Sequence, residues 1–219
     1  MPDAISVAKY LLKQGLDTDK NCFDGNMKLQ KLLVLANLVS LAERDVPLFD
    51  DKILAFEQGC VIEDIRLRYK NDFNSLIADS HSFNPTFTKE EYDILNLTIA
   101  LFGKLSAREL SKINHTFSFW RTALENSTNS SGYRDKSKAI VTVDAMREEL
   151  KRVKTTIAAY RDTLSDNQAV ETINGINFYY TPNDPELTED ILDELYRFSL
   201  VADENAYSVY IDNGSLVIC

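Results

Sequence analysis

Histidine is nearly missing from this 219-residue chain, which has 2, alongside 1 tryptophan, 7 glycines and 3 cysteines. With no Cys/His pair at a workable spacing, nucleophilic catalysis has little material. Phosphate-binding glycine loops, dinucleotide fingerprints, G-x-S-x-G elbows and H-E-x-x-H pairs are all absent. Cys22, Cys60 and Cys219 are odd in number and lack C-x-x-C spacing, which argues against a disulfide framework or a zinc site and for inert thiols. His81 reads as a loop residue between Ser80 and Ser82 with no second ligand near it. Neither a cofactor nor a metal is expected, and the chain reads as a non-enzyme. No run of about 18 apolar residues free of charge occurs. Met1-Pro2-Asp3 lacks the basic and apolar regions of a signal peptide, so the expectation is a cytoplasmic protein without membrane insertion. The carboxylate pairs Asp50-Asp51, Glu63-Asp64 and Glu189-Asp190 are adjacent residues that point apart, as surface charge does.

Basic residues are also scarce toward one end. Residues 140–219 hold 6 Lys/Arg against 15 Asp/Glu, a net of −9, whereas residues 1–139 hold 18 against 19. An acidic segment repels nucleic-acid phosphate and attracts basic protein surfaces, so nucleic acid is an unlikely partner. Arg66, Arg68 and Lys70 form the one local basic cluster, and alternate helical positions diverge, which predicts a solvated face.

The apolar content concentrates in Lys28 to Leu41, KLQKLLVLANLVSL. Leu29, Leu32, Leu33, Ala36, Leu38 and Val39 recur at helical steps while Val34, Leu35 and Leu41 fill other faces, predicting a central helix covered on most sides. Asp24-Gly25-Asn26 is expected to cap its start and Pro47 to halt it. An amphipathic helix over Ala4–Gln14 precedes it, and a short strand Ile53–Phe56 follows. Ile62 to Ile77 reads as helical. Thr88 with Glu91 and Ser106 with Glu109 fit capping boxes, the first opening a helix that Gly103 closes. The segment from Asn114 to Trp120 reads as a loop too apolar for solvent.

Residues 126–142, rich in Asn, Ser and Thr, read as a polar linker or loop between a domain of residues 1–125 and a module of residues 143–219. A long helix over Val143–Leu164 is expected next. The pattern then changes to period two around Asn174-Gly175 and Asp212-Asn213-Gly214, two hairpin signals. Between them Leu187, Ile191, Leu192, Leu195 and Tyr196 line one face of an acidic helix. The fold class is therefore α+β, mostly helical at the N-terminal end with a small helix-plus-hairpins module at the other.

Three blocks resemble the Panacea domain family, which includes SocA- and GepA-like phage-associated proteins and antitoxins of prokaryotes. They are Met27 to Leu33; Pro47-Leu48-Phe49 with Ile53–Phe56 and Gly59-Cys60-Val61; and Leu105-Ser106 followed by His115 and Trp120. The family pattern runs approximately K-L-Q-K-L-L-Y-Y-A-Q, then an aromatic residue before G-P-V, then T-H-x-E-x-P-W, over about residues 5–125. The carried-over positions are Lys28, Leu29, Gln30, Lys31, Leu32, Leu33, Phe56, Gly59, Val61, His115 and Trp120, read as scaffold. Cys60 replaces the usual proline, Asn114 the threonine, Phe117 the glutamate and Phe119 the second proline, while Val34-Leu35 replace two tyrosines. Losing the glutamate removes a group that could orient the His115 imidazole.

The resemblance implies an antitoxin that neutralises a cognate toxin by direct binding and, as in the SocA-like member, an adaptor that presents its partner to a protease. Within that reading the acidic module is the expected contact, through Glu186, Glu189, Asp190, Asp193, Glu194, Asp203 and Glu204. The alternative is a phage or mobile-element factor whose acidic module binds and inhibits a host nucleic-acid-binding or defence protein.

Overall fold

Every residue from Lys28 to Leu41 is buried, and the rest of the first half of the chain is arranged to bury them. The computed structural model describes residues 1–17, 20–166, 169–182, 185–212 and 214–219, with the side chains of all of these except 164–166. The fold is α+β, and contacts divide it into two compact units, Met1–Thr156 and Ile157–Cys219.

The first unit opens with helix α1 (Ala4–Lys13), capped by the Asp3 carboxylate, which accepts from the Ser6 N–H. Helix α2 (Phe23–Arg44) starts earlier than the turn residues suggest. Cys22 is its N-cap, its sulfur accepting from the Gly25 N–H, and Asp24, Gly25 and Asn26 already lie inside the first turns. The helix ends at Asp45, whose N–H still donates to the Leu41 carbonyl and whose left-handed backbone (φ 58°) turns the following chain away. With apolar residues on every side, α2 has no polar face to give to solvent and is stable only when enclosed.

Enclosure comes from α1, the strand hairpin β1 (Ile53–Phe56) and β2 (Gly59–Val61), and helices α3 (Glu63–Asn71), α5 (Lys89–Phe102) and α6 (Ala107–His115). The stretch expected as one helix from Ile62 breaks at Asp72 (φ −143°, ψ 45°) into α3 and α4 (Phe73–Ser82), so His81 sits exposed in the last turn of α4 rather than in a loop. Both capping boxes form, Thr88 with Glu91 and Ser106 with Glu109. The apolar segment after Asn114 is a helix–turn–helix and not a loop. α6 runs through His115, α7 (Ser118–Ser127) begins three residues later, and Phe117 and Phe119 stack at 5.0 Å inside the core.

Residues 126–142 are tied to the first unit along their length. Thr128 bridges Arg134, the Asp135 N–H donates to the Ser127 carbonyl at 2.8 Å, and Lys136 pairs with Glu63 at 2.6 Å. Strand β3 (Ile140–Val141) then pairs antiparallel with β1, completing a sheet of order β2-β1-β3. The helix expected over Val143–Leu164 is broken at Glu148-Glu149 into α8 (Val143–Arg147) and α9 (Leu150–Asp166). The division between units falls within α9, after Thr156, and not at residues 126–142.

The second unit holds the end of α9 from Ile157, a four-stranded sheet and one further helix among the described residues. Strands β4 (Ala169–Ile173) and β5 (Ile176–Tyr180) form a hairpin at Asn174-Gly175, whose φ values of 51° and 81° suit a tight turn. Strands β6 (Ala206–Asp212) and β7 (Ser215–Ile218) form the second. Asn213 of its turn, like Thr18 and Asp19 of the early polar loop, lies outside the described residues. The hairpins join through a parallel β5–β6 pair, which needs a crossover, and α10 (Glu189–Ser199) supplies it. Phe178, Leu195, Tyr207 and Val209 form the core, with Leu187, Ile191 and Phe198 against it. Leu195 is the centre of the expected apolar face of α10, while Tyr196 turns out to solvent. Among the described residues no helix is long and apolar enough to cross a membrane.

One buried side chain fixes the turn after α2. The Asn37 carbonyl oxygen accepts from the Leu48 and Phe49 N–H groups at 2.7 and 3.1 Å, and its amide donates to the Phe49 carbonyl at 3.2 Å. Asn37→Leu strips two buried donors of their acceptor and is expected to cost about 2–4 kcal/mol, read as a lower urea midpoint at unchanged slope.

Candidate functional site

The β1–β2 hairpin is held on α2 and α6 by polar side chains that have almost no access to water. Gln30 Oε1 accepts from the Ile62 N–H at 2.7 Å, Lys31 Nζ donates to the Cys60 carbonyl at 3.0 Å, and Asn114 Oδ1 accepts from the Cys60 N–H at 2.8 Å. Gln30, Lys31 and Asn114 are all buried. Gly59 fits where they meet. Its φ is +99°, and a Cβ there would lie 2.7 Å from both Asn114 Oδ1 and Lys31 Nζ, so backbone conformation and space both require glycine. Trp120 adds a bond from its indole N–H to the Phe56 carbonyl at 2.8 Å, and His115 stacks on the indole at 4.2 Å.

The electrostatics follow from burial. Desolvation lowers the Lys31 pKa to about 8, and it raises that of the adjacent Cys60 thiol to about 12, so this cysteine is not a thiolate nucleophile. His115 is also pushed down, first by desolvation and then by the Lys31 charge, which favours a neutral ring. Its Nε2 is buried without a hydrogen-bond partner. Nothing here assembles a base with a nucleophile. Among the described residues no group of three or more His, Cys, Asp or Glu could hold a metal ion.

Beside this clamp a cleft of about 490 Å³ opens between the first turns of α2, the hairpin and α3. Phe23, Asn26, Gln30 and Lys31 line it from α2, Phe56 from the hairpin and Arg66 from α3. Gln30 Nε2 and Arg66 Nε are buried donors without partners. Arg66 pairs with Glu63 at 3.3 Å and lies over the Phe56 ring at 5.5 Å.

The carried-over motif residues come together. Lys28, Leu29, Gln30, Lys31, Leu32 and Leu33 are buried on α2, and Phe56, Gly59, Val61, His115 and Trp120 surround the clamp. The basic cluster separates as its spacing suggests, but not wholly to solvent. Arg68 pairs with Asp79, whereas Arg66 and Lys70, four residues apart, both line the cleft. The seven acidic positions are all exposed in the second unit. Glu186, Glu189, Asp190, Asp193 and Glu194 lie before or within the first two turns of α10, whereas Asp203 and Glu204 follow it, beyond an eleven-residue helix that spans about 16 Å. Asp203 is fixed by Tyr207, whose hydroxyl donates to its carboxylate at 2.7 Å. Sequence reasoning missed Asn37 and the role of Asn114. The signal for both was a polar residue on a helix expected to be covered, which needs a buried partner.

A helical scaffold whose motif residues gather around a buried polar clamp is the class this geometry defines. Residues 29–121 match the family model described as antitoxin SocA-like, Panacea domain, the family that the three sequence blocks resemble. The match supports a general antitoxin-like role, with another protein as the partner. No curated protein and no solved structure matches the chain.

Two measurements test the clamp. Because the Lys31 pKa falls from 10.5 to about 8 on folding, the unfolded chain binds the extra proton between those values, and stability rises with pH across that window. Its burial cost, up to about 3 kcal/mol, is fully present below pH 8. Lys31→Met should lack this rise, seen by comparing unfolding free energies of variant and parent from pH 7 to 10. In a double-mutant cycle, Asn114→Ala should cost about 2 kcal/mol in the parent and much less in Cys60→Pro, which has no N–H to satisfy.

Proposed function

We propose that this protein neutralises a cognate toxin by direct protein–protein binding, with the first unit as scaffold and the second as a partner contact. The supporting observation is the partition of charge. Residues 1–156 hold 22 Lys/Arg and 22 Asp/Glu, while residues 157–219 hold 2 and 12, so the second unit carries the whole net charge of −10. Glu186, Glu189, Asp190, Asp193, Glu194, Asp203 and Glu204 are exposed, which favours a basic surface on the partner. The activity is stoichiometric binding rather than turnover, and a protease adaptor role belongs to the same reading, since a bound partner can be presented for degradation.

The same charge also supports a second reading, a mobile-element factor that occupies the basic groove of a host nucleic-acid-binding or defence protein. Expression of each neighbouring reading frame with and without this protein separates them: a frame lethal alone and harmless together supports the antitoxin. A salt-sensitive complex with a host nucleic-acid enzyme, and no such frame, supports the alternative.

The contact assignment has its own test. Glu189→Lys, Asp190→Lys, Asp193→Lys and Glu194→Lys combined in the full chain should weaken partner binding by about a hundredfold or more through loss and reversal of charge. Binding and neutralisation at parental strength by a folded quadruple variant would place the contact elsewhere.

A further inference from the structure

Two buried donors of the first unit that lack a partner, Gln30 Nε2 and Arg66 Nε, lie on the lining of one cleft. Gln30 is 1% exposed and lines the cleft. Its side-chain orientation is set by the Ile62 N–H, which takes Oε1 and leaves Nε2 as a donor with no acceptor. Lys31, wholly buried on the same lining, has one acceptor among the described residues, the Cys60 carbonyl, for an ammonium with three N–H groups. Arg66 Nε is a second buried donor on the lining without a partner. A desolvated ammonium and an unsatisfied amide donor on one cleft are a costly arrangement that a bound anion relieves.

The rest of the lining says what carries that anion. Phe23, at the first position of α2, is 67% exposed at the cleft, and Met27, Phe56, Val61 and Tyr69 add apolar and aromatic surface. A free inorganic ion would leave those walls wet. Two of the outer cations already have carboxylate partners, Arg66 with Glu63 and Arg134 with Glu57 at 2.8 Å. The deep end thus presents one buried cation to balance one negative charge, which fits a carboxylate better than a doubly charged phosphate. Among the described residues only one carboxylate, that of Glu57, lies on the cleft, and Arg134 occupies it. A volume of about 490 Å³ is within the ordinary range for a bound side-chain cluster.

We propose that this cleft is a docking site for a short apolar segment of the partner protein bearing an aspartate or glutamate, with its carboxylate on Gln30 Nε2 and Lys31 Nζ and its apolar neighbours against Phe23 and Phe56. The proposal rests on the protein-partner reading above and gives it a second, basic contact distinct from the acidic unit.

A random dodecapeptide library displayed on phage is panned on the full chain, and the selected peptides are synthesised and measured by fluorescence polarisation. Selected sequences should share an acidic residue next to aromatic or aliphatic ones, and converting that acid to its amide should weaken binding about tenfold or more. Phe23→Glu changes an exposed residue at a helix N-terminus, where a negative charge is tolerated, and should weaken the same peptides about tenfold. Lys31→Met should do the same, with circular dichroism confirming that both variants fold. Failure to select peptides, selection without an acidic residue, indifference to Phe23→Glu and Lys31→Met, or binding of ATP in place of peptides would each overturn the proposal. Panning requires no toxin, so its failure leaves antitoxin activity to be judged by co-expression, and failed neutralisation leaves a peptide-binding cleft standing.

Discussion

The Lys31 ammonium is buried at the base of the cleft, and the first unit is built to make that tolerable. It holds the Cys60 carbonyl while Asn114 holds the Cys60 N–H and Gln30 the Ile62 N–H, so three side chains from two helices clasp both ends of the segment Cys60 to Ile62. Gly59 is confined to a glycine by that clasp, and Trp120 seals the other strand at Phe56. A buried cation is poor evidence of stability by itself, because its desolvation offsets what its bonds contribute. Its value here is positional: an apolar helix can slide against apolar neighbours at little cost, whereas Lys31, Gln30 and Asn37 each have one register in which they are satisfied.

Much of this architecture was legible, for identifiable reasons. α2 announced itself because apolar residues on every face leave a helix nowhere to sit but the interior. The capping boxes at Thr88 and Ser106 and the Asn174-Gly175 turn are short-range signals, decided by backbone geometry within a few residues, and they formed. What the sequence could not show is long-range. The break at Asp72 separates two helices whose combined apolar pattern reads as one, and the pairing of β3 with β1 joins residues far apart in the chain. The parallel β5–β6 contact is likewise invisible to hairpin signals, which specify only antiparallel neighbours. The cleft was hidden because Arg66 and Lys70 show their common side only once α3 is placed against α2.

Two positions that differ from the pattern of the resembled family, Cys60 and Asn114, are hydrogen-bonded to each other here. A proline at position 60 would offer no N–H, and a threonine at position 114 would need no amide oxygen directed there. With Cys60 present, a buried donor appears, and Asn114 meets it at 2.8 Å. His115 loses its expected acidic neighbour to Phe117 and is instead stacked on Trp120 with its ring kept toward the neutral form. In the first place a bond satisfies the buried donor, and in the second a stacked ring packs the imidazole, so local structure and sequence agree at both.

Strand β3 has a consequence for how this scaffold can be moved. The family match ends at residue 121, yet the open edge of β1 is closed only by Ile140 and Val141, and Ala139 adds its carbonyl to the Ala55 N–H at 2.8 Å. The recognised segment alone is thus a fold with one seam left unstitched, and an unpaired strand edge is an invitation to self-association. The portable part of this protein is longer than its signature: a transplant that carries the motif must also carry the strand that hems it.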